Sequence, residues 1–396
     1  MELVLNDEQR LLRESARKLV AQAGGPAAFR AARGTDDGFD RARHRTVAEA
    51  GWLALMVPER LDGLGLGMTE LALVLEEAGR GLLTEPVGAA AVVAWAIGAG
   101  HAATGSSAIL RELVAGERLI LPALQDPATP EAAREKITAS HYHYGYQLTG
   151  TRTSAPQASS AGAFLVDAAT SDGSIMVIVP ANLHGVHVES ARTVDGGSNG
   201  TVEFSEASTM GDEWLIAGTR QGAALAADTY DRLLIAAAAE MLGVMEAALD
   251  LAIGYMKTRE QFGRPIGSFQ ALQHRAVNDH TEIELLRSLL YQVCAAYDGK
   301  RGRRSMAAAV KARASDSVLN VTKSAIQMHG AIGFTDEYDA GLYLRRAMNL
   351  AARHGNAAFH RARYMALVSA EEAAAGDGAP ARRKRIRKKK SIFANM

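Results

Sequence analysis

The sequence predicts an α+β protein with an N-terminal helical domain, a central antiparallel β-domain and a C-terminal four-helix bundle. Three observations carry this prediction. Apolar residues recur at helical spacing early in the chain, β-branched and aromatic runs occupy the middle, and helical spacing then returns. We place the domains at 1–118, 119–223 and 224–373. We expect the remaining basic tail, 374–396, to be disordered.

The first part of the chain opens with a helix signal. Asn6 can cap a helix in which Leu12, Ala16 and Val20 recur at four-residue spacing. A connection rich in Pro and Gly follows at 58–65, before a second stretch of helical period. The N-terminal domain is therefore predicted to be helical.

The middle of the chain changes to strand-like runs. Clear examples are 164–166, 175–179 and 202–204. Asp172 and Gly173 separate two such runs and form a hairpin signal, which favours an antiparallel sheet. No Gly-x-Gly-x-x-Gly motif follows a strand, so a parallel dinucleotide-binding fold is not predicted.

The last part of the chain contains four long stretches of helical period. They cover 230–259, 269–297, 304–329 and 342–370. Stretches of this length joined by short connections are typical of a helical bundle.

Composition narrows the functional classes. No apolar run reaches the ~20 residues that span a bilayer, and the N-terminus lacks a secretory apolar segment, so we predict a cytoplasmic protein without a membrane span. The single cysteine, Cys294, cannot form an intrachain disulfide, and no His/Cys cluster has zinc-ligand spacing. We therefore predict no structural metal.

The formal net charge of zero conceals an asymmetry. Eight Lys and Arg residues lie between 382 and 390, which leaves −8 on the rest of the chain. Such a run could contact nucleic acid or anionic lipid, but at a chain end a solvated tail is the simpler interpretation. We predict no nucleic-acid binding.

One segment between two predicted helices, 255–270, has the chemistry of a binding loop. Gly263, Pro265 and Gly267 permit tight backbone turns, and Arg259 adds a permanently charged guanidinium. This combination suits an anion such as a phosphate. The alternative is a surface arginine that caps the end of a helix.

This segment resembles the arginine-x-glutamine-phenylalanine-glycine signature of the acyl-CoA dehydrogenase family. Two further segments, 327–335 and 344–347, resemble the second and third signatures of that family. The resemblance spans about residues 3–370 and includes these N-terminal motifs: 51–52, 58–59, 63–65 and 76–80.

The resemblance implies FAD as cofactor and an acyl-CoA thioester as substrate. A base removes the α-proton while hydride leaves the β-carbon for the flavin, which gives a trans-2-enoyl-CoA. Because the α-proton is weakly acidic, a carboxylate must act together with hydrogen bonds to the developing enolate. The resemblance also implies a homologous partner subunit and an electron-transferring flavoprotein as acceptor.

The family's cofactor residues match six positions here. By resemblance, Arg259, Phe262, Gln327 and Gly330 reach across a subunit interface to the FAD of a neighbour. Gln261 and Gln270, in and after the first signature, are also predicted to bind the cofactor.

The catalytic base departs from the family pattern. Many members have glutamate twenty-seven residues after the second-signature glutamine, and an ungapped count from Gln327 gives His354. An imidazole can remove a proton, although a non-catalytic histidine is the simpler interpretation. Other relatives place the base early in the first bundle helix, where Asp231 is the nearest carboxylate. Its alternative role is to stabilise a helix N-terminus.

The β-domain also departs from the pattern. The family's threonine-glutamate-proline loop, which is followed by glycine and serine donors, is replaced by 124–130. Pro156 stands where a threonine normally contacts the flavin ring, and proline has neither a hydroxyl nor a backbone donor. The losses therefore affect the chain's own site, whereas the residues that serve a neighbour are kept.

Three hypotheses follow from this one-sided loss. The first is a subunit of a heteromeric dehydrogenase that lends its residues to FAD in a different subunit, as in the α2β2 enzymes that act on steroid side-chain CoA thioesters. The second is a homotetramer that uses Asp231 or His354 as base. The third is a non-redox acyl-CoA-binding or structural subunit.

Overall fold

The computed structural model describes residues 5–35, 38–100, 106–128, 136–211 and 214–376. The first 114 residues contain six α-helices in the described part: α1 (Asp7–Gln22), α2 (Gly25–Ala32), α3 (Arg41–Glu49), α4 (Met68–Arg80), α5 (Val87–Ala99) and α6 (Ser106–Val114). Asn6 caps α1 as predicted, because its side chain accepts from the Gln9 amide and Gln9 bonds back to Asn6. Most of the predicted basic tail, from residue 377, lies outside the described residues.

The middle of the chain forms one sheet of eight described strands: β1 (Ile120–Ala123), β2 (Thr138–Tyr142), β3 (Gly145–Pro156), β4 (Ala163–Thr170), β5 (Gly173–Pro180), β6 (Val186–Arg192), β7 (Ser198–Met210) and β8 (Leu215–Ala217). The order is β6-β7-β3-β2-β4-β5-β8, with β1 also beside β4. Most pairs are antiparallel, as predicted, although β1 and β2 each pair with β4 in parallel.

The predicted hairpin lies between β4 and β5. Thr170 pairs with Gly173 across the turn, and Phe164 pairs with Val179 one residue before the other end of the ladder. The three strand-like runs of the sequence lie in β4, β5 and β7. The strand prediction is therefore confirmed. All three runs contribute apolar side chains that are buried in the core of the sheet.

The last part of the chain is helical, with a small ribbon between its first two helices: α7 (Gly222–Thr258), β9 (Glu260–Gln261), β10 (Arg264–Pro265), α8 (Gln270–Asp298), α9 (Arg304–His329), α10 (Ala340–Ala352) and α11 (Ala357–Gly376). The stretch predicted as one helix over 342–370 is instead two. His354 and Gly355 break it, because both have positive φ values, of +58° and +96°.

The longest helix, α7, lies at the centre of the molecule and packs on α4 and α9. Gly243 on α7 faces the Glu76 carbonyl, and Gly79 on α4 faces the Glu240 carbonyl, so a side chain at either position would clash with backbone. These glycines let the two helices cross closely. In the described part of the chain, no helix is long and apolar enough to cross a bilayer.

A buried lysine joins α9 to the break between α10 and α11. The Lys311 ammonium is fully buried and donates to the carbonyls of Ala351 and Gly355, at 3.2 and 2.9 Å, and to the Ser315 hydroxyl. Burial, assisted by the charge of Arg353, lowers the pKa of Lys311 to about 7.

Replacing this lysine should change how stability depends on pH. The folded pKa lies below the unfolded value, so the unfolded state binds more protons between about pH 7 and 10. The free energy of unfolding should therefore rise with pH in the wild type, by at most ~1.4 kcal/mol per pH unit. In Lys311→Met this contribution should disappear. Urea unfolding at several pH values would measure it.

The exposed Lys323, also on α9, offers a matched control. Lys323→Met should keep the wild-type pH dependence. If Lys311→Met and the wild type gave parallel curves from pH 6.5 to 9, the buried amine would not be the titrating group.

Candidate functional site

A short ribbon formed by β9 and β10 protrudes where α7 ends. Gln261 pairs with Arg264, and the turn between them has positive φ at Phe262 and Gly263, of +56° and +76°. The Ile266 amide donates to the Arg259 carbonyl at 2.8 Å, which closes the base of the ribbon. We call residues 259–269 the arm.

All six residues that the sequence assigns to a cofactor are solvent-exposed. The Phe262 ring is 91 % exposed, although phenylalanine is usually buried. No ion pair or hydrogen bond to another described side chain engages the Arg259 guanidinium. The arm therefore presents an uncommitted cation and an uncovered aromatic ring to whatever binds there.

The second signature lies at the same end of the bundle. The rings of Tyr255, one turn before the arm, and His329, at the end of α9, are 4.8 Å apart. The His329 Nδ1 lies 2.7 Å from the Ala325 carbonyl, which fixes its ring. Gln327 and Gly330 flank this histidine, so the structure places both signatures on one end of the α7–α9 pair.

His354 lies in a turn held from several sides. Its carbonyl oxygen is 2.7 Å from the His360 Nε2 and 3.0 Å from the Tyr230 hydroxyl. Its Nδ1 lies 3.5 Å from an Asp126 carboxylate oxygen. Burial would raise the pKa of Asp126, but the interactions with His354, Ala128 and Tyr230 hold it below its usual range.

This turn borders a cleft between the sheet and the bundle. Its lining includes the following residues: Glu85, Pro156, Gln157, Leu233, Glu240, Arg346, Arg353 and His354. The cavity volume is only about 40 Å³. That accommodates a few water molecules, whereas small-molecule sites typically measure ~300–1,000 Å³.

Two arginines line the cleft: Arg346 on α10 and Arg353, the first residue after that helix. Arg346 forms a short ion pair with Glu240 and donates to Asp195 at 2.9 Å. Arg353 borders the same cavity, and its Nε has no hydrogen-bond partner among the described residues. Burial and the neighbouring Arg346 lower the pKa of Arg353. The cleft is thus lined by buried charged side chains, and among them Arg346 has both of its carboxylate partners in place.

Asp231 lies on α7 with its side chain fully buried. One carboxylate oxygen is 2.7 Å from Arg363 and the other is 3.6 Å from Arg304. Burial raises the pKa of Asp231, while these two arginines oppose the shift. The structure places Asp231 in an ion-pair cluster with α9 and α11. His354 instead lines the cleft, so the two predicted bases lie in different parts of the molecule.

Comparison with known protein families gives two matches. The acyl-CoA dehydrogenase N-terminal domain matches residues 6–117, and the acyl-CoA dehydrogenase C-terminal domain matches residues 220–368. The acyl-CoA dehydrogenase IpdE2 of Mycobacterium tuberculosis is 30 % identical over 357 residues, which cover 89 % of this chain and 92 % of that protein. This chain belongs to the acyl-CoA dehydrogenase family.

Solved acyl-CoA dehydrogenase structures agree with this assignment. A variant of the Tcur3481-Tcur3483 steroid ACAD superposes with a TM-score of 0.84 at 29 % identity, covering 93 % of this chain and 99 % of the other. The ChsE4-ChsE5 complex from Mycobacterium tuberculosis gives a TM-score of 0.84 at 26 % identity, covering 96 % of this chain and 100 % of the other. The predicted fold class is confirmed.

Arg346 and Arg353, which line the cleft, were not among the predicted site residues. Arg346 belongs to the third signature segment, 344–347, and Arg353 directly precedes His354. Their seven-residue spacing corresponds to two helical turns, but α10 ends at Ala352, so helical period alone does not place Arg353. The partners of Arg346, Glu240 and Asp195, lie 106 and 151 residues away from it in the sequence, so no local pattern reveals this cluster.

Removing the Arg346 charge should destabilise the fold strongly. Arg346→Met leaves Glu240 and the buried Asp195 without their shared cation, and breaking a buried pair costs ~3–5 kcal/mol. Its neighbour Arg345 pairs with the exposed Asp336, so Arg345→Met should cost less than ~1 kcal/mol. Urea unfolding of both variants gives the comparison. Equal losses would contradict the role assigned to Arg346.

Proposed function

We propose that this chain is one subunit of a heteromeric, FAD-dependent acyl-CoA dehydrogenase. In this proposal it lends its arm to FAD that sits mainly in a homologous partner subunit. The observation that carries it is the contrast within one chain: the arm is exposed and uncommitted, whereas the chain's own cleft has a cavity of about 40 Å³.

The chemistry of the arm suits the phosphate and adenine parts of FAD. The Arg259 guanidinium can bind pyrophosphate oxygens in a bidentate manner, and the exposed Phe262 ring offers an apolar surface for a base. Gln261, Gln270 and Gln327 add amide donors and acceptors. When bound, FAD supplies the hydride acceptor for the substrate β-carbon.

The chain's own cleft does not fit the flavin ring. Pro156 offers no hydroxyl and no backbone donor at the β-domain wall, and Arg346 and Arg353 line the same cavity of about 40 Å³. The base would come from the partner, because Asp231 is held by two arginines away from the cleft lining. His354 then serves to shape the turn between α10 and α11.

The comparisons favour an acyl-CoA thioester of a steroid-degradation type as substrate. One similar structure is named a steroid ACAD, and another is the two-protein ChsE4-ChsE5 complex. By analogy, we assign this chain to an enzyme that oxidises a sterol side-chain CoA thioester, arranged as a heterotetramer in the cytoplasm. An electron-transferring flavoprotein is the proposed acceptor.

One observation favours a second candidate function. Asp126 lies 3.5 Å from His354 Nδ1, and a carboxylate that orients an imidazole is a familiar arrangement for a general base. A self-sufficient homotetramer could use this pair once its cleft opened. The heteromer is the better-supported candidate, because the cavity beside His354 is too small for a flavin ring.

The first test concerns cofactor binding. Co-expressed with its homologous partner, the chain should give a complex with one FAD per pair of subunits, whereas the chain alone should be colourless. Arg259→Met should raise the FAD dissociation constant of the complex about tenfold or more, since a charge-assisted hydrogen bond contributes ~1.5–3 kcal/mol. FAD fluorescence on titration gives the constant.

Lys257→Met provides the control, because Lys257 is also exposed at the end of α7. It should leave FAD affinity within about twofold. A yellow chain that binds FAD stoichiometrically without any partner would overturn the proposal, as would unchanged affinity in Arg259→Met.

The second test separates the two candidates. His354→Gln in the heteromeric complex should change kcat less than about threefold, since the base is proposed to come from the other subunit. If His354 were the base, its loss should lower kcat by a factor of ~100 or more. Steady-state turnover with an artificial electron acceptor measures this, and a large loss would favour the self-sufficient enzyme.

A further inference from the structure

The ribbon of the arm has an unfavourable backbone. Its two-residue turn requires positive φ at both positions, which normally selects Asn or Asp before Gly, but here Phe262 takes the first position at +56°. Bulky residues rarely adopt this conformation. The ladder contains only two residue pairs, and Pro265 in it has no amide hydrogen. Such a ribbon needs support from outside its own backbone.

Phe269, the residue before α8, supplies that support. The Arg264 guanidinium lies over the Phe269 ring at 4.2 Å from its centroid, within the range of a cation–π interaction. The Phe262 ring meets the same ring edge-on, with centroids 6.0 Å apart and planes at 88°. One side chain therefore contacts the turn and the second strand of the ribbon together.

Phe269 is itself fixed by the start of α8. Its amide donates to the Ile266 carbonyl at 3.1 Å, and its carbonyl accepts from the Leu272 and Gln273 amides. The Gln273 side chain donates to the Gly267 carbonyl at 2.9 Å. Hydrogen bonds at the start of α8 thus hold the Phe269 backbone in place, whereas the ribbon that its ring contacts is exposed.

We infer that Arg264 and Phe269 are positioning residues that hold the arm in its binding shape before any cofactor arrives. The inference rests on the proposed function for the identity of the ligand, which is the phosphate and adenine part of FAD. In this view Arg259 contacts the cofactor, and Arg264 acts through Phe269. The Phe262 ring and the Arg264 guanidinium both contact the Phe269 ring, and these contacts maintain the strained turn at Phe262.

The rival role for Arg264 is direct contact with phosphate. Both roles predict weaker FAD binding when the cation is lost, so a single variant does not separate them. The contact with Phe269 does. If Arg264 acts through that ring, removing either partner has the same consequence, and removing both adds little. If Arg264 binds phosphate, the two losses multiply.

The experiment uses the full chain in complex with its homologous partner, with FAD removed and then titrated back. Arg264→Met and Phe269→Leu should each raise the FAD dissociation constant about two- to tenfold, and the double variant should exceed the larger single effect by less than about twofold. Arg264→Lys, which keeps the cation, should recover most of the affinity. Single effects that multiply in the double variant would overturn the inference.

A second readout needs no cofactor. Hydrogen exchange of the FAD-free complex reports on the Ile266 amide, which donates to the Arg259 carbonyl at the base of the ribbon. This amide should exchange about two- to tenfold faster in Arg264→Met and in Phe269→Leu. Unchanged exchange in both variants would overturn the inference by itself.

The two proposals fail differently. If Arg259→Met leaves FAD affinity unchanged, the proposed function is wrong, while the exchange measurement still decides whether the arm is pre-formed. If Arg259→Met weakens binding but Arg264→Met and Phe269→Leu do not, only the inference on positioning is wrong.

Discussion

The buried ion cluster centred on Arg346 is the constraint on which the rest of this structure depends. Its guanidinium pairs with Glu240 of α7 and with Asp195 between β6 and β7, and so joins the helical bundle to the sheet. Burial would raise the pKa of Asp195, but the charge of Arg346 together with hydrogen bonds from Thr193, Asn349 and Arg346 holds that pKa below its usual range. Because each of these buried charges is paired, loss of any one of them leaves another without a partner. The cavity next to the cluster measures only about 40 Å³.

A closed cleft and an open arm give the chain a marked asymmetry. The cavity beside His354 measures only about 40 Å³, whereas Arg259 and Phe262 are exposed to solvent. The proposed heteromer accounts for both observations, because the arm would then serve a cofactor held mainly by the partner subunit.

Local patterns predicted most of the elements because they depend on backbone geometry. The strands around Phe164 and Val179 and the capped helix after Asn6 follow from period and capping. The break at His354 and Gly355 was missed, because the apolar period continues across it. Contacts from Tyr230 and His360 help to hold that turn, and those residues approach only in the folded chain.

The sequence by itself determined the family, the order of helices and strands, and the presence of an arginine, glutamines and a phenylalanine at one helix-to-helix turn. These features are written in residue type and short spacing. Only the tertiary structure decided which of them are exposed and that the cavity in the cleft is small. The reason is that Arg346 meets partners 106 and 151 residues away, and the volume left between packed side chains has no signature in the order of residues.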